Sequence, residues 1–201
     1  MIGIPIKVAL THIVHSAIRA DNAKGGALFT LEQPGNVLRM AAHVGLSDAA
    51  AARAQVVTDS DNTASGQAVR ERHRVVIRDV AGDEYGENTA EALKYGVHAI
   101  QATPLIDEQR RVVGVLSTFY GEPHHPTADA LRKFDLCAAI AVRLLELDGA
   151  FDTALRSNHR SAEAVRVLLP ACAEQIVCDE AALVALQRYL DQLAEELAQE
   201  R

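Results

Sequence analysis

Residues 97–120 constrain the fold of this chain more than any other stretch, because they read as two strands joined by a charged turn. In "VHAIQATPL" the residues alternate, with Ala99, Gln101 and Thr103 on one face and His98, Ile100 and Ala102 on the other. "IDEQRR" is an exposed turn, and "VVGVLSTFY" is a central-strand run whose Gly114 lets another backbone or a ligand approach closely. "GEPHHP" follows, where Pro123 and Pro126 hold the backbone extended. Thr127 is placed to cap a helix predicted from about 127 to 147 through Leu131, Phe134, Ala138, Ala141 and Leu145, with Asp129 at its positive end. His124 and His125 are adjacent, so in an extended segment their side chains diverge and do not share a metal ion. The pair reads as joinery between strand and helix.

The rest of the first three quarters of the chain supplies partners for that hairpin. Residues 4–20 place Leu10, Ile13, Val14, Ala17 and Ile18 on one helical stripe. "DNAKGG" ends it, "ALFTL" reads as a strand, and "QPGN" turns the chain back into the strand "VLRMAAHV". "SDAAAARA" is a short helix with Ser47 as N-cap, "SGQAVRERH" another helical turn, and "RVVIRDV" a compact strand. A polar loop between Asp79 and Tyr95 runs into a short helix. The expected order is helix, two strands, small helices, a strand, a loop with a helix, a hairpin and a long helix.

Composition bounds the function classes. A chain of 201 residues with 49% hydrophobic and 23% charged residues is ordinary for a globular protein, and a chain this long buries roughly 70% of its unfolded surface. A net charge of −7 offers no basic footprint for nucleic acid or anionic lipid, and 4% aromatics with no Trp offers no stacking platform for bases. No apolar run approaches bilayer-spanning length, so a cytoplasmic setting is expected. Cys137 sits in an Ala-rich helical stretch and reads as a small hydrophobe. Cys172 and Cys178 are six positions apart, about 240° around a helix, which is neither a zinc nor a redox spacing.

No nucleophile motif, phosphate loop, dinucleotide fingerprint or zinc-protease pattern is present. His12 and His15 lack a third ligand. Asp79, Asp83, Glu84 and Glu87 cluster around the 79–95 loop; a solvated acidic loop is the default, and Asp79, directly after a strand, is the best placed to anchor the loop or touch a ligand. Tyr85, Asn88 and Thr89 add hydrogen-bonding groups. A polar loop over a Val/Ile/Thr-lined sheet is the mixture typical of small-molecule sites.

"SGQAVRERHRVVIRDV", then "GVHAIQATPL", then "VVGVLSTFYGEPHHPTADALRKFDLCAAIAVRLLEL" together resemble the GAF domain, in the branch found in bacterial sensors beside PAS and histidine-kinase modules. The resemblance covers about residues 4–149 and is strongest from Ser65 to Leu147. It implies an α+β fold: a central antiparallel β-sheet with flanking helices, a small-molecule pocket under loops on one face, and dimerisation through the first and last helices. By family position and polarity, the expected ligand contacts are Asp79, Tyr85, Asn88, His98, Gln101, Thr103, Ser117 and Phe119. Strand alternation keeps His98 and Gln101 on different faces, so the set cannot all converge.

Two departures from the family pattern matter. Ser65-Gly66 stands where related sensors often carry Cys-Gly, and Ser117-Thr118-Phe119 where they carry Ser-Thr-His. Both remove groups able to ligate a metal or react. Bilin attachment and the GAF-like free methionine sulfoxide reductases need a cysteine inside the domain, and Cys137 lies in the closing helix. The expectation is therefore a non-catalytic sensory domain in residues 1–149, homodimeric, serving a sensor kinase or other signalling protein, with no metal, nucleic-acid or membrane partner and no cofactor assigned. A scaffolding module with a collapsed pocket is the alternative, and a thiol enzyme comes third.

Residues 150–201 read as an all-helical extension, kinked at Pro170, for dimerisation or output. Leu183, Leu186, Leu190, Leu193 and Leu197 form a heptad-like seam that packing on its own domain explains as well as a dimer does. His159-Arg160 resembles the phosphoacceptor helix of some histidine kinases, but the asparagine neighbourhood expected around it there is absent, and no ATP-binding domain follows within these 201 residues.

Overall fold

A computed structural model describes residues 4–82, 88–156 and 188. Helix α1 (Ile4–Ala20) leads into strands β1 (Gly25–Glu32) and β2 (Val37–Val44), as the apolar stripe and the hairpin turn dictate. Helix α2 (Asp48–Arg53) is capped by Ser47, whose Oγ accepts the Ala50 N–H at 3.3 Å. Then come β3 (Val56–Thr58), α3 (Ala64–Glu71), β4 (Val75–Ile77), α4 (Asn88–Lys94), β5 (Ala99–Ile106), β6 (Val112–Tyr120) and α5 (Ala128–Arg156). Thr127 caps α5 as expected, its Oγ1 accepting the Ala130 N–H at 3.1 Å.

The six strands form one sheet in the order β3-β2-β1-β6-β5-β4, with every neighbouring pair antiparallel. The β5–β6 hairpin sits inside the sheet with both outer edges paired, and its side chains are largely buried on both faces. Helices α1 and α5 pack together on one face, over Leu28, Leu105 and Leu116, and bury Leu10, Ile13, Phe134 and Ile140 completely or nearly so. On the other face Phe29, Leu38, Val75, Ile100 and Val115 form a second core with Ala64 and Ala68 of α3. Side chains alternate between the two cores along β1 and β6. On β2 a bulge skips Ala41, pairing Met40 with Phe29 and Ala42 with Leu28, so Met40 joins one core and Ala42 the other.

Two features depart from expectation. The strand β3 was not foreseen. It is a three-residue edge strand, Val56–Thr58, too short to show a period. Helix α5 runs to Arg156, well past the 147 predicted. Gly114 makes room for backbone and not for a ligand: a Cβ there would lie 2.2 Å from the Phe29 carbonyl oxygen. Among the described residues no helix is long and apolar enough to cross a membrane. Tyr85, the leucine seam, His159, Cys172 and Cys178 lie outside the described residues.

Candidate functional site

On the face away from α1 and α5, a cavity of about 600 Å3 opens between the sheet and the short helices. Its floor is Ile100 of β5 and Phe119 of β6, which sit opposite each other in the strand register. One wall is α2 and β3, through Ala50, Ala54, Val56 and Val57; the facing wall is α4 and the residues after it, through Ala92, Tyr95 and Val97. Polar groups enter at the connector from β3 to α3, with Asp61, Asn62 and Thr63, and from the helices, with Arg53 and Glu91. The mixture of apolar walls and a few polar groups, at this volume, is that of a small-molecule site.

Much of the polar connector is committed to holding its own shape. The Asp61 carboxylate accepts the Thr58 N–H at 2.7 Å, and Thr63 Oγ1 caps α3 by accepting the Gly66 N–H at 3.0 Å. The α3 start is drawn onto the sheet at Gly66, where a Cβ would meet the Asp61 and Thr58 carbonyl oxygens at 2.7 and 2.8 Å. Ser65 next to it shares a buried 3.1 Å hydrogen bond with Ser117 in the middle of β6. The cavity thus has a rigid end at α3, and its wider walls are carried on short elements.

Over residues 4–146 the sequence matches the family profile of the GAF domain. The chain belongs to the GAF domain family. The fold agrees: the GAF domain region of a membrane protein from Geobacter sulfurreducens superposes with a TM-score of 0.63 at 13% identity, over 71% of this chain and 93% of that one. A domain of a two-component sensor histidine kinase from Sinorhizobium meliloti gives 0.58 at 19% identity, over 72% and 92%. The type II free methionine-R-sulfoxide reductase of Thermoplasma acidophilum gives 0.56 at 13% identity, over 69% and 91%. Comparison with curated proteins gives no match.

Within this GAF domain the expected contact residues divide sharply. Phe119 lines the cavity. Ser117 shares its face of β6 but is fully buried against Ser65 and belongs to the floor's support. Gln101 and Thr103 stand on the opposite face, toward α5: Thr103 Oγ1 accepts a hydrogen bond from Arg74 Nε at 2.9 Å, and Arg74 in turn pairs with Asp135 of α5 and lies over the Phe134 ring. Gln101 is 1% exposed, and its Oε1 has no hydrogen-bond partner among the described residues. The alternation along β5 requires this, because Ile100 and Ala102 fill the cavity-side core. Asp79 folds back on its own turn, its Oδ1 accepting the Ala81 N–H at 3.0 Å, so it anchors the loop and does not line the cavity. His98 is half-buried and is held by its backbone, donating to the Tyr120 carbonyl at 2.8 Å and accepting from Val80 at 2.7 Å. Asn88 begins α4, and its side chain lies outside the described residues.

The lining groups that sequence reasoning missed are Arg53, Asp61, Asn62, Thr63, Glu91 and Tyr95. They come from three short segments with no periodicity to announce a face. The one usable signal was the polar run "TDSDNT" at 58–63, between an unrecognised strand and a helix.

His124 also proved more engaged than joinery suggests. Its ring stacks on Tyr120 with centroids 4.0 Å apart, and its Nε2 lies 2.7 Å from Asp21 Oδ2. The Tyr120 hydroxyl donates to that same oxygen at 3.0 Å and accepts from Thr118 Oγ1 at 3.1 Å. Burial holds this phenol above the ordinary tyrosine range. The cluster ties the residue after α1, the end of β6 and the approach to α5 together, on the far side of the sheet from the cavity. Cys137, the one cysteine among the described residues, is fully buried between α1 and α5.

Proposed function

We propose that this GAF domain is a sensory module in signal transduction: a small molecule occupies the cavity between the sheet and helices α2 and α4, and occupancy biases how α1 and α5 pack in a dimer. The observation that carries the reading is the cavity itself, about 600 Å3 with apolar walls and a polar mouth. A scaffolding module with a collapsed pocket has no use for such a space. The family supports a signalling setting, and a neighbour in fold belongs to a sensor histidine kinase. The connection to the helices runs through α3, pinned to β6 by Ser65 and Ser117, and through Arg74 just beyond it, which grips α5. Val8, 42% exposed on α1, offers an apolar contact for a second copy.

The fold neighbour from Thermoplasma acidophilum is a reductase, but Cys137 lies in the helix core across the sheet from the cavity, so thiol chemistry at the cavity has no support from the described residues.

The test is a thermal-shift screen of nucleotides, amino acids and aromatic metabolites on wild-type protein and on Ala54→Trp, which fills the cavity. A specific ligand raises the wild-type Tm by mass action and leaves the variant unmoved. A panel with no hit, or hits indifferent to Ala54→Trp, would return the scaffolding reading. Light scattering across the protein concentration range tests the dimer.

A further inference from the structure

The charges at the cavity mouth say what kind of molecule it takes. Among the described lining residues Arg53 is the one cation, at the last turn of α2. Its guanidinium makes no hydrogen bond among the described residues; its nearest carboxylate is Glu91, across the mouth on α4, at 3.9 Å. Other arginines of this domain are engaged closely: Arg39 with Glu32 at 2.6 Å, Arg111 with Asp107 at 2.8 Å, Arg143 with Glu108 at 2.6 Å. Arg53 and Glu91 are also half-open to solvent, with side chains 65% and 38% exposed. A pair so loose and so exposed contributes little to stability, so separating it costs little. The other lining carboxylate, Asp61, is already spent on the Thr58 N–H.

We propose that the cavity binds an organic anion, an apolar body carrying a carboxylate, whose oxygens dock on Arg53 in place of Glu91. Guanidinium binds a carboxylate through two parallel N–H donors, a geometry that the 3.9 Å contact with Glu91 does not achieve and a mobile ligand can. The apolar body then lies on Ile100 and Phe119, away from water. Glu91 is the placeholder: it balances Arg53 while the cavity is empty and swings into solvent when a ligand enters. This inference rests on the ligand-binding reading above and adds the chemical class and the anchor.

The test uses isosteric probes of one ring system, 1-naphthoate, 1-naphthamide and 1-naphthylmethylammonium, titrated calorimetrically into wild-type, Arg53→Gln, Glu91→Gln and Ala54→Trp proteins whose fold is checked by circular dichroism. The expected order in wild type is naphthoate over naphthamide over the ammonium. Arg53→Gln weakens naphthoate by about tenfold and leaves naphthamide where it was. Glu91→Gln removes the competitor and tightens naphthoate by roughly threefold. Equal binding of naphthoate and naphthamide, unchanged by Arg53→Gln but lost in Ala54→Trp, would overturn the anion assignment and leave the ligand-binding reading standing. A preference for the ammonium overturns it too, by making Glu91 the anchor. If no probe binds, or Ala54→Trp binds all of them as wild type does, both readings fail together.

Discussion

At the scale of single residues, a polar side chain shielded from solvent contributes to the fold through the close partners that hold it. Asp107 has a side chain only 1% exposed, in the turn between β5 and β6. Burial pushes its pKa up, but the Arg111 N–H at 2.7 Å, the Arg111 guanidinium and the Gln109 N–H together outweigh burial and hold it below its ordinary 3.8. A carboxylate depressed in the folded state stabilises the fold above the unfolded pKa, and that contribution is lost as pH falls through the folded one. Asp107→Asn is therefore expected to lower Tm at pH 7, and the gap from wild type should shrink as pH drops below 3.8. A gap that stays constant down to pH 2 would mean the charge is irrelevant there. His124→Ala removes a stacked ring and a carboxylate contact, and should cost about 1–3 kcal/mol in urea unfolding. His125 makes no such contacts among the described residues, and His125→Ala is the control that should sit near zero.

At the scale of elements, what could be read from the sequence and what could not separate along a physical line. Helix α1, both hairpins, the Ser47 cap and the Thr127 cap were legible because each carries a local signal: a 3.6-residue stripe, a period of two, or a hydroxyl before a helix. Pairing partners were partly legible, since Gly114 signals close approach without saying of what. Its neighbour is the Phe29 carbonyl of β1, so Gly114→Ala should break the β1–β6 pairing and cost more than about 2 kcal/mol by chemical denaturation. An unchanged unfolding midpoint would show that the strand slips aside instead. The cavity was the least legible part. Family position pointed to strand residues such as Gln101 and Thr103, while the walls are built from α2, β3 and α4, short elements brought together by a sheet order that places β3 at one edge and β4 at the other. Which of two opposite faces a strand residue takes is a local fact, and Gln101 and Thr103 were assigned correctly relative to Ile100. Which face holds the cavity is a tertiary fact with no local trace.

At the scale of the whole molecule, the sheet divides the domain into two chemically distinct halves. One half is a long two-helix layer, α1 and α5, closed over a dense aliphatic core. The other is a patchwork of three short helices around a partly empty space. Strand β3 belongs to the second half. It is three residues long, hydrogen-bonded on one side to β2, and Val56 within it is 42% exposed. A strand so short at a sheet edge opens at low free energy, long before the domain unfolds. In amide hydrogen exchange the N–H groups of Val56 and Val57 should therefore trade deuterium quickly in the free protein, while those of β5 and β6 persist. Because Val56 and Val57 are also cavity wall, any occupant that touches them slows this local exchange before it moves a helix, and equal exchange with and without a bound probe would place the probe elsewhere. A three-residue edge strand thus doubles as a built-in reporter of occupancy.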